Sequence, residues 1–184
     1  MGQAEARWTV ANLEEQLAQL PRVGLAHLPT PLEEAPRLSA QLGGPRILIK
    51  RDDLTGLALG GNKPRKLEFL MADALARGAD AIVISAAAQS NMVRMTSAAA
   101  AKLGLDIYPV LRGTPDAEVQ GNLLLDHVFG AHITFIDTED PYSQQSVDTM
   151  QRVMAELEAK GRKPYLIDMR YASGPLAAIG FVAI

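Results

Sequence analysis

The sequence predicts an α/β protein built on an open, parallel four-stranded sheet flanked by helices. Its 184 residues, 48 % of them apolar and 21 % charged, have the composition of an ordinary globular protein. From residue 61 onward, short apolar runs alternate with longer segments of helical apolar spacing, and glycines separate them. Helices of this length between strands form right-handed crossovers, which make neighbouring strands parallel.

Apolar spacing and helix-ending glycines place each element along the chain. Ahead of the alternating region, the sequence predicts a helix over 11–20, a second helix that Thr30 caps and Pro31 begins, and a strand over 46–50. The alternating region predicts strands over 81–85, 107–111, 132–136 and 164–168, with helices over 62–77, 90–103, 116–129 and 142–160. A last apolar helix, starting near residue 174, either covers the sheet or leaves an apolar face exposed.

Composition and charge argue against several classes of function. The net charge is −3 and the Lys and Arg residues are scattered, so no basic patch for nucleic acid is expected. The chain has no cysteine, and its histidines, His27, His127 and His132, are too dispersed to predict a metal site. Residues 1–20 lack the order of a signal peptide, and no apolar stretch is long enough to span a membrane, so a cytoplasmic protein is expected.

The segment around Lys63 combines a glycine turn with the start of a helix. Glycines at 60–61 allow a sharp turn and a close approach of the backbone to a ligand. Asn62 is expected to cap the helix, whose free N–H groups and dipole favour an anion. Partial burial and this positive field would favour the neutral amine of Lys63, a nucleophile, and Lys66 would add a charge suited to a phosphate or carboxylate. The alternative is that Lys63, Arg65 and Lys66 form a solvated first turn.

A second polar segment, Gln89-Ser90-Asn91, follows the strand predicted over 81–85. Ligands of open α/β sheets gather at the carboxyl ends of the strands, where this segment would lie. Ser90 and Asn91 could therefore bind a substrate carboxylate and a cofactor hydroxyl. The alternative is that Ser90 caps the next helix and does nothing else.

Together, these segments resemble a known family. The resemblance rests on 28–32 (LPTPL), 49–70 (IKRDDLTGLALGGNKPRKLEFL) and 89–91 (QSN), with agreement also at Gly121-Asn122. These stretches are similar to the D-cysteine desulfhydrase and 1-aminocyclopropane-1-carboxylate deaminase family. Its members are pyridoxal-phosphate enzymes of the tryptophan-synthase-β fold type.

The resemblance implies a cofactor, pyridoxal phosphate, and a role for each matching residue. Lys63 would be the Schiff-base lysine and the proton acceptor or shuttle, and Ser90 would contact the substrate as the second catalytic residue. Asn91 would pair with the ring hydroxyl of the cofactor, while Asn62 and Lys66 would lie near its phosphate. No metal is implied.

The resemblance also implies a division of the chain. Residues 56–168 would be the small βα domain of this fold type, and residues 1–55 would be an N-terminal arm and the edge of an incomplete large domain. Residues 169–184 would be an apolar helix that returns to the large-domain side. The phosphate loop and the substrate tyrosines of the family would lie beyond Ile184.

Two positions and one turn depart from the family pattern. Met92 and Met95 stand where the family has polar residues, and 168–173 (DMRYAS) replaces a glycine-rich turn. One hypothesis is that the chain is the N-terminal subunit of a split lyase or deaminase, completed by a partner chain or by self-association, and that the isolated chain binds pyridoxal phosphate weakly or not at all. The alternatives are a catalytically inactive descendant that serves as a binding or scaffold subunit, and a fragment without a biological role.

Overall fold

The computed structural model describes residues 9–116, 118–168 and 173–182. The helices are α1 (Val10–Ala18), α2 (Pro36–Leu42), α3 (Lys63–Ala76), α4 (Asn91–Leu103), α5 (Gly121–Val128), α6 (Gln144–Ala159) and α7 (Gly174–Val182). The strands are β1 (Leu32–Glu34), β2 (Leu48–Lys50), β3 (Ala81–Ala87), β4 (Asp106–Arg112), β5 (Thr134–Ile136) and β6 (Pro164–Ile167). Two short 3-10 turns, Asp52–Thr55 and Leu57–Leu59, lie between β2 and α3.

The predicted sheet is confirmed. Four parallel strands lie in the order β5-β4-β3-β6, so the chain path reverses beside β3. Right-handed crossovers on either side of such a reversal place helices on both faces of the sheet. The reversal brings the carboxyl end of β3 to the middle of the sheet, with a strand on each side.

The apolar core has two parts, one for each face of the sheet. Alternate residues of β3 point to opposite faces, with Ile82 and Ile84 on one side and Val83 on the other. The larger cluster joins the sheet to α3 and α4, and the smaller joins it to α6 through Met150 and Val153. Burial on both faces explains why the strands read as short, continuous apolar runs in the sequence.

The predicted helix after Thr30 is wrong in its first half. Residues Leu32–Glu34 form β1, which pairs antiparallel with β2, and the helix begins only at Pro36. Thr30 does not cap it. Thr30 is only 4 % exposed, and its hydroxyl lies between two charged side chains. The hydroxyl donates a hydrogen bond to Asp52 and accepts one from Arg65. The hydroxyl that was expected to cap a helix is therefore hydrogen-bonded to a buried ion pair.

The start of α5 also differs from the prediction. The sequence predicts a helix over 116–129, whereas α5 begins at Gly121, and residue 117 lies outside the described residues. Gln89, which follows β3, accepts a hydrogen bond from the backbone N–H of Asn122 at 2.9 Å. A side chain from another element thus satisfies a free donor at the start of this helix, a contact that local sequence cannot reveal.

The last helix, α7, packs on α3 rather than on the sheet. The two backbones touch at Gly180, where an added Cβ would lie 2.1 Å from the carbonyl oxygen of Arg65. Between α7 and α1 runs a groove of about 600 Å³ whose apolar lining includes Leu13, Leu17 and Val182. The turn over 168–173 that departs from the family pattern lies largely outside the described residues, which omit 169–172. None of the helices in the described ranges is long and apolar enough to cross a membrane.

Candidate active site

The glycine turn before α3 requires glycine at two successive positions. Gly60 and Gly61 have φ values of 73° and 130°, which residues with a Cβ rarely adopt. A Cβ on Gly60 would lie 1.9 Å from the carbonyl oxygen of Asp53, and one on Gly61 would lie 2.6 Å from the Cε of Met95. The turn is therefore specified by packing as well as by backbone angles.

A buried ion pair holds this turn in place. Arg65, which is 2 % exposed, donates from Nε and Nη2 to the two carboxylate oxygens of Asp52 at 2.8 and 2.7 Å. The backbone carbonyl of Asp52 accepts from the N–H of Gly61 at 2.8 Å. The hydroxyl of Thr55 donates to the carbonyl of Gly61 at 2.7 Å. The hydrogen bonds and the charge of Arg65 keep the pKa of the Asp52 carboxyl below its usual value.

Lys63 begins α3 directly after this turn and is half-buried. Burial, and then the charge of Lys66, lower the pKa of the Lys63 amine below its ordinary value. The side chain of Lys63 makes no hydrogen bond or ion pair with any residue in the described ranges. A desolvated lysine with a lowered pKa is more often neutral, and a neutral amine is the form that attacks a carbonyl.

The other residues of this first turn have different environments. Arg65 is buried and paired, so the alternative of a wholly solvated turn is wrong for it. Lys66 is half-buried, with its Nζ 5.0 Å from the centre of the Phe181 ring on α7. Asn62 is exposed, and its side chain makes no capping hydrogen bond, so the expected cap is wrong. Its backbone is already helical, with φ −82° and ψ −11°, whereas a capping residue needs an extended conformation.

Ser90 and Asn91 lie at the start of α4, at the carboxyl end of β3. The Ser90 hydroxyl accepts from the backbone N–H groups of Met92 and Val93 at 3.2 and 3.3 Å, so the predicted cap is confirmed. Those two donors are thereby unavailable to a ligand. Asn91 is exposed, and its side chain is part of a larger network of hydrogen bonds.

The centre of that network is Arg94, which sequence reasoning did not single out. Its Nη1 donates to the side-chain oxygens of Asn91 and Asn122 at 3.0 and 2.7 Å. Its Nη2 donates to the backbone carbonyl of Gly60 at 3.2 Å. One guanidinium thus joins the glycine turn before Lys63 to the start of α4 and the start of α5. The available signal was a charged residue at a position of α4 whose neighbours read as buried.

The two methionines of α4 are packing residues. Met95 is 1 % exposed and contacts Gly61, and Met92 is half-buried against the larger core cluster. A thioether fills space beside the turn but does not transfer protons. Among the described residues beside the turn, Lys63 is consequently the amine of lowered pKa that this part of the site offers for proton transfer.

The fold and the residues at the carboxyl end of β3 define a class of protein. It is an α/β domain whose site carries a lysine amine at the place where the chain path reverses. Residues 23–180 match the family described as pyridoxal-phosphate dependent enzyme, and the chain belongs to that family.

Individual relatives show which members of this family the chain is similar to. The chain is 46 % identical over 176 residues to a D-cysteine desulfhydrase of Serratia proteamaculans (strain 568), which covers 93 % of this chain and 52 % of the relative. The chain is 45 % identical to a D-cysteine desulfhydrase of Yersinia pestis, and the match again covers 93 % of this chain and 52 % of the relative. A crystal structure of an ACC deaminase homologue superimposes with a TM-score of 0.83 and 41 % identity, over 93 % of this chain and 51 % of that one. The chain therefore spans about half the length of the proteins it matches.

The residues at this edge fit the functional groups of pyridoxal phosphate. Lys63 offers a half-buried amine of lowered pKa for the aldehyde, and the glycines of the turn place no side chains of their own beside it. Lys66 offers a cation for the phosphate, and the amide of Asn91 is exposed at the neighbouring helix start. Within the described ranges, no group of three or more acidic or histidine side chains is arranged to hold a metal ion.

Proposed function

We propose that this chain supplies the lysine-bearing half of a pyridoxal-phosphate lyase or deaminase that acts on a small amino acid, with a β-elimination like that of D-cysteine desulfhydrase. The observation that carries the proposal is the amine of Lys63, which is half-buried, without a hydrogen-bonding partner in the described ranges, and of lowered pKa. The two D-cysteine desulfhydrases and the family match support the choice of reaction.

Each residue has a defined task in this proposal. Pyridoxal phosphate, when bound, withdraws electrons from the α-carbon of an attached amino acid and so acidifies its α-proton. Lys63 would hold the cofactor through its aldehyde carbon. Once the amino group of the substrate had replaced Lys63 at that carbon, the freed neutral amine would accept the α-proton. Lys66 would stabilise the phosphate, and Asn91 would donate a hydrogen bond to the ring oxygen. Ser90 holds the start of α4, and its hydroxyl is the substrate contact that the family resemblance implies.

The proposal includes a second half that completes the site. The chain spans about half the length of its matched relatives. Leu32, Leu48 and Ile49 of the β1–β2 hairpin are 61, 45 and 45 % exposed. This hairpin and the groove between α1 and α7 are apolar surfaces that a further domain would cover. That domain lies on a partner chain in this proposal, and self-association is the alternative source.

We expect pyridoxal phosphate to bind the isolated chain weakly. Asn62 and Asn91 are exposed, so water reaches the groups that would surround the cofactor. Electrostatic contacts to a phosphate are weak in a wet site and strengthen when a second domain excludes water.

The test is complementation. The chain is mixed with the part of the Serratia proteamaculans enzyme that follows the matched region, and sulfide release from D-cysteine and the visible absorbance of bound pyridoxal phosphate are measured. Both signals are expected in the mixture that contains the wild-type chain. Neither signal is expected in the mixture that contains Lys63→Ala. Lys160→Ala, a change at an exposed lysine at the end of α6, serves as the matched control and keeps both. A mixture that forms a complex but binds no cofactor would refute the proposal.

A second candidate function is a binding or scaffold subunit without catalysis. It is favoured by Met92 and Met95, which stand where the family has polar residues and here serve packing. The same mixtures distinguish the two functions. A scaffold predicts a complex that forms equally well with Lys63 and with Lys63→Ala, and that releases no sulfide in either case.

A further inference from the structure

The side-chain oxygen of Asn91 accepts two hydrogen bonds from groups that can only donate. Arg94 Nη1 lies 3.0 Å from this Oδ1, and Asn122 Nδ2 lies 3.0 Å from it on the other side. A guanidinium has no acceptor atom, so the Asn91 atom that faces Arg94 must be the oxygen. The orientation of the Asn91 amide is therefore determined by chemistry.

The orientation of Asn122 is determined in the same way. Its Oδ1 accepts from Arg94 Nη1 at 2.7 Å, and its Nδ2 donates to the backbone carbonyl of Gln89 at 2.7 Å. A carbonyl cannot donate, so reversing the Asn122 amide would lose both bonds and place two donors against Arg94. Asn122 and Arg94 therefore support one arrangement of the network, and that arrangement requires the oxygen of Asn91 to point inward.

We propose that Arg94 and Asn122 are positioning residues that hold the Asn91 amide with its NH₂ group turned outward, as a hydrogen-bond donor to an anionic oxygen of the ligand that Lys63 binds. The identity of that ligand rests on the proposed function, whereas the orientation of the amide does not. Among the described residues, no atom accepts a hydrogen bond from the NH₂ group of Asn91.

Arg94 also ties this orientation to the lysine turn. The residue is 9 % exposed, and its Nη2 donates to the carbonyl of Gly60, three residues before Lys63. Movement of the turn would withdraw one of the bonds that immobilise the guanidinium, and with it a support of the Asn91 amide. The same side chain thus sets the donor and holds the backbone that leads to the amine.

The decisive experiment measures the mobility of the Asn91 side chain by ¹⁵N relaxation of its NH₂ group in the chain without ligand. We expect an order parameter of about 0.8 in the wild type and below about 0.6 in Asn122→Ala and Arg94→Lys, each of which removes contacts to the Asn91 oxygen. Asn122 is half-buried at the start of α5, so its truncation tests the proposal even if the Arg94 variant fails to fold. Arg152→Lys, at an exposed arginine paired with Glu156, is the control. A mobile Asn91 amide in the wild type, or one equally rigid in Asn122→Ala, overturns the proposal.

A second measurement tests the outward donor with pyridoxal phosphate itself, titrated into the labelled chain mixed with the complementing part of the Serratia proteamaculans enzyme. Asn91→Asp keeps an oxygen for Arg94 and Asn122 but replaces the NH₂ group by an acceptor, so we expect affinity to fall about fivefold or more while the fold is kept. Equal affinity in Asn91→Asp overturns the donor assignment. No spectral change in any variant removes support for the proposed function, and the order parameters then decide the positioning role separately.

Discussion

Replacing Arg65 by methionine tests whether the buried ion pair holds the glycine turn. The change removes three hydrogen bonds, from Nε to Asp52 at 2.8 Å and from Nη2 to Asp52 and Thr30 at 2.7 and 2.9 Å. Methionine keeps most of the apolar volume, so the loss is mainly electrostatic. The Asp52 carboxylate remains partly buried, and among the described side chains only the hydroxyl of Thr30 still donates a hydrogen bond to it, although the charge of Lys50 also acts on it.

The expected cost can be worked from this geometry. Removing one partner of a buried ion pair costs about 3–5 kcal/mol, because the other charge is left uncompensated. The side chain of Asp52 is 16 % exposed, so water relieves part of that cost. We therefore expect Arg65→Met to lower the free energy of unfolding by about 3 kcal/mol.

Urea unfolding followed by circular dichroism measures this loss. Arg152→Met is the matched control, since Arg152 and Glu156 are 58 and 54 % exposed and such pairs contribute about 0–1 kcal/mol. Hydrogen exchange of the Gly61 amide, which donates to the Asp52 carbonyl, is expected to accelerate in Arg65→Met only. A loss below about 1 kcal/mol, the size of an exposed pair, would show that the pair does not hold the turn.

The pH dependence gives an independent check. The pKa of Asp52 in the folded chain lies below its ordinary value of 3.8 because of Arg65. A carboxylate with a depressed folded pKa stabilises the protein above its unfolded pKa and loses that contribution as the pH falls through the folded pKa. The difference between wild type and Arg65→Met should therefore be complete at neutral pH and shrink in acid below pH 3.8.

Three further outcomes are expected. Gly180→Ala should lower the free energy of unfolding, measured by urea titration, by about 2 kcal/mol or more, because its Cβ would lie 2.1 Å from the carbonyl oxygen of Arg65. Gly44→Ala is the control and should change the free energy of unfolding little, because no atom lies within 4 Å of its new Cβ. Burial raises the pKa of Asp126 to about 6, so stability should fall as the pH rises from 3.8 to about 6, and Asp126→Asn should abolish that slope in unfolding measured across this range. Lys66→Gln should raise the pKa of Lys63 by removing a neighbouring positive charge, as read from the pH dependence of its side-chain NMR signal, and an unchanged pKa would show that the charge of Lys66 has no effect there.

Much of the fold could be predicted from local patterns. The four strands from β3 to β6 and the helices α3, α4 and α6 were found because apolar spacing and helix-ending glycines act over a few residues. The strand predicted over 46–50 is confirmed as β2, whereas β1 was missed, because its three exposed residues carry no apolar alternation. The Ser90 cap was found for the opposite reason, since a capping serine bonds to the next residues of its own helix.

Some residues of the candidate site could likewise be predicted from the sequence, and others could not. Lys63, Lys66 and Asn91 could be proposed from the glycine turn, the helix starts and the family resemblance. Arg94 could not, because its role depends on acceptors far along the chain, with 28 residues to Asn122 and 34 to Gly60. The Asn62 cap failed because the glycine turn enters α3 with the backbone of Asn62 already helical.

The sequence by itself determined the alternation of strands and helices from α3 to β6, the need for glycine before Lys63 and the family to which the chain belongs, because each depends on short-range patterns or on residue identity. Only the tertiary structure decided which polar groups are buried together. Arg65 became the partner of Asp52 and Thr30, and Arg94 became the support of Asn91, because folding removed their side chains from water and left hydrogen bonds to distant residues as their compensation.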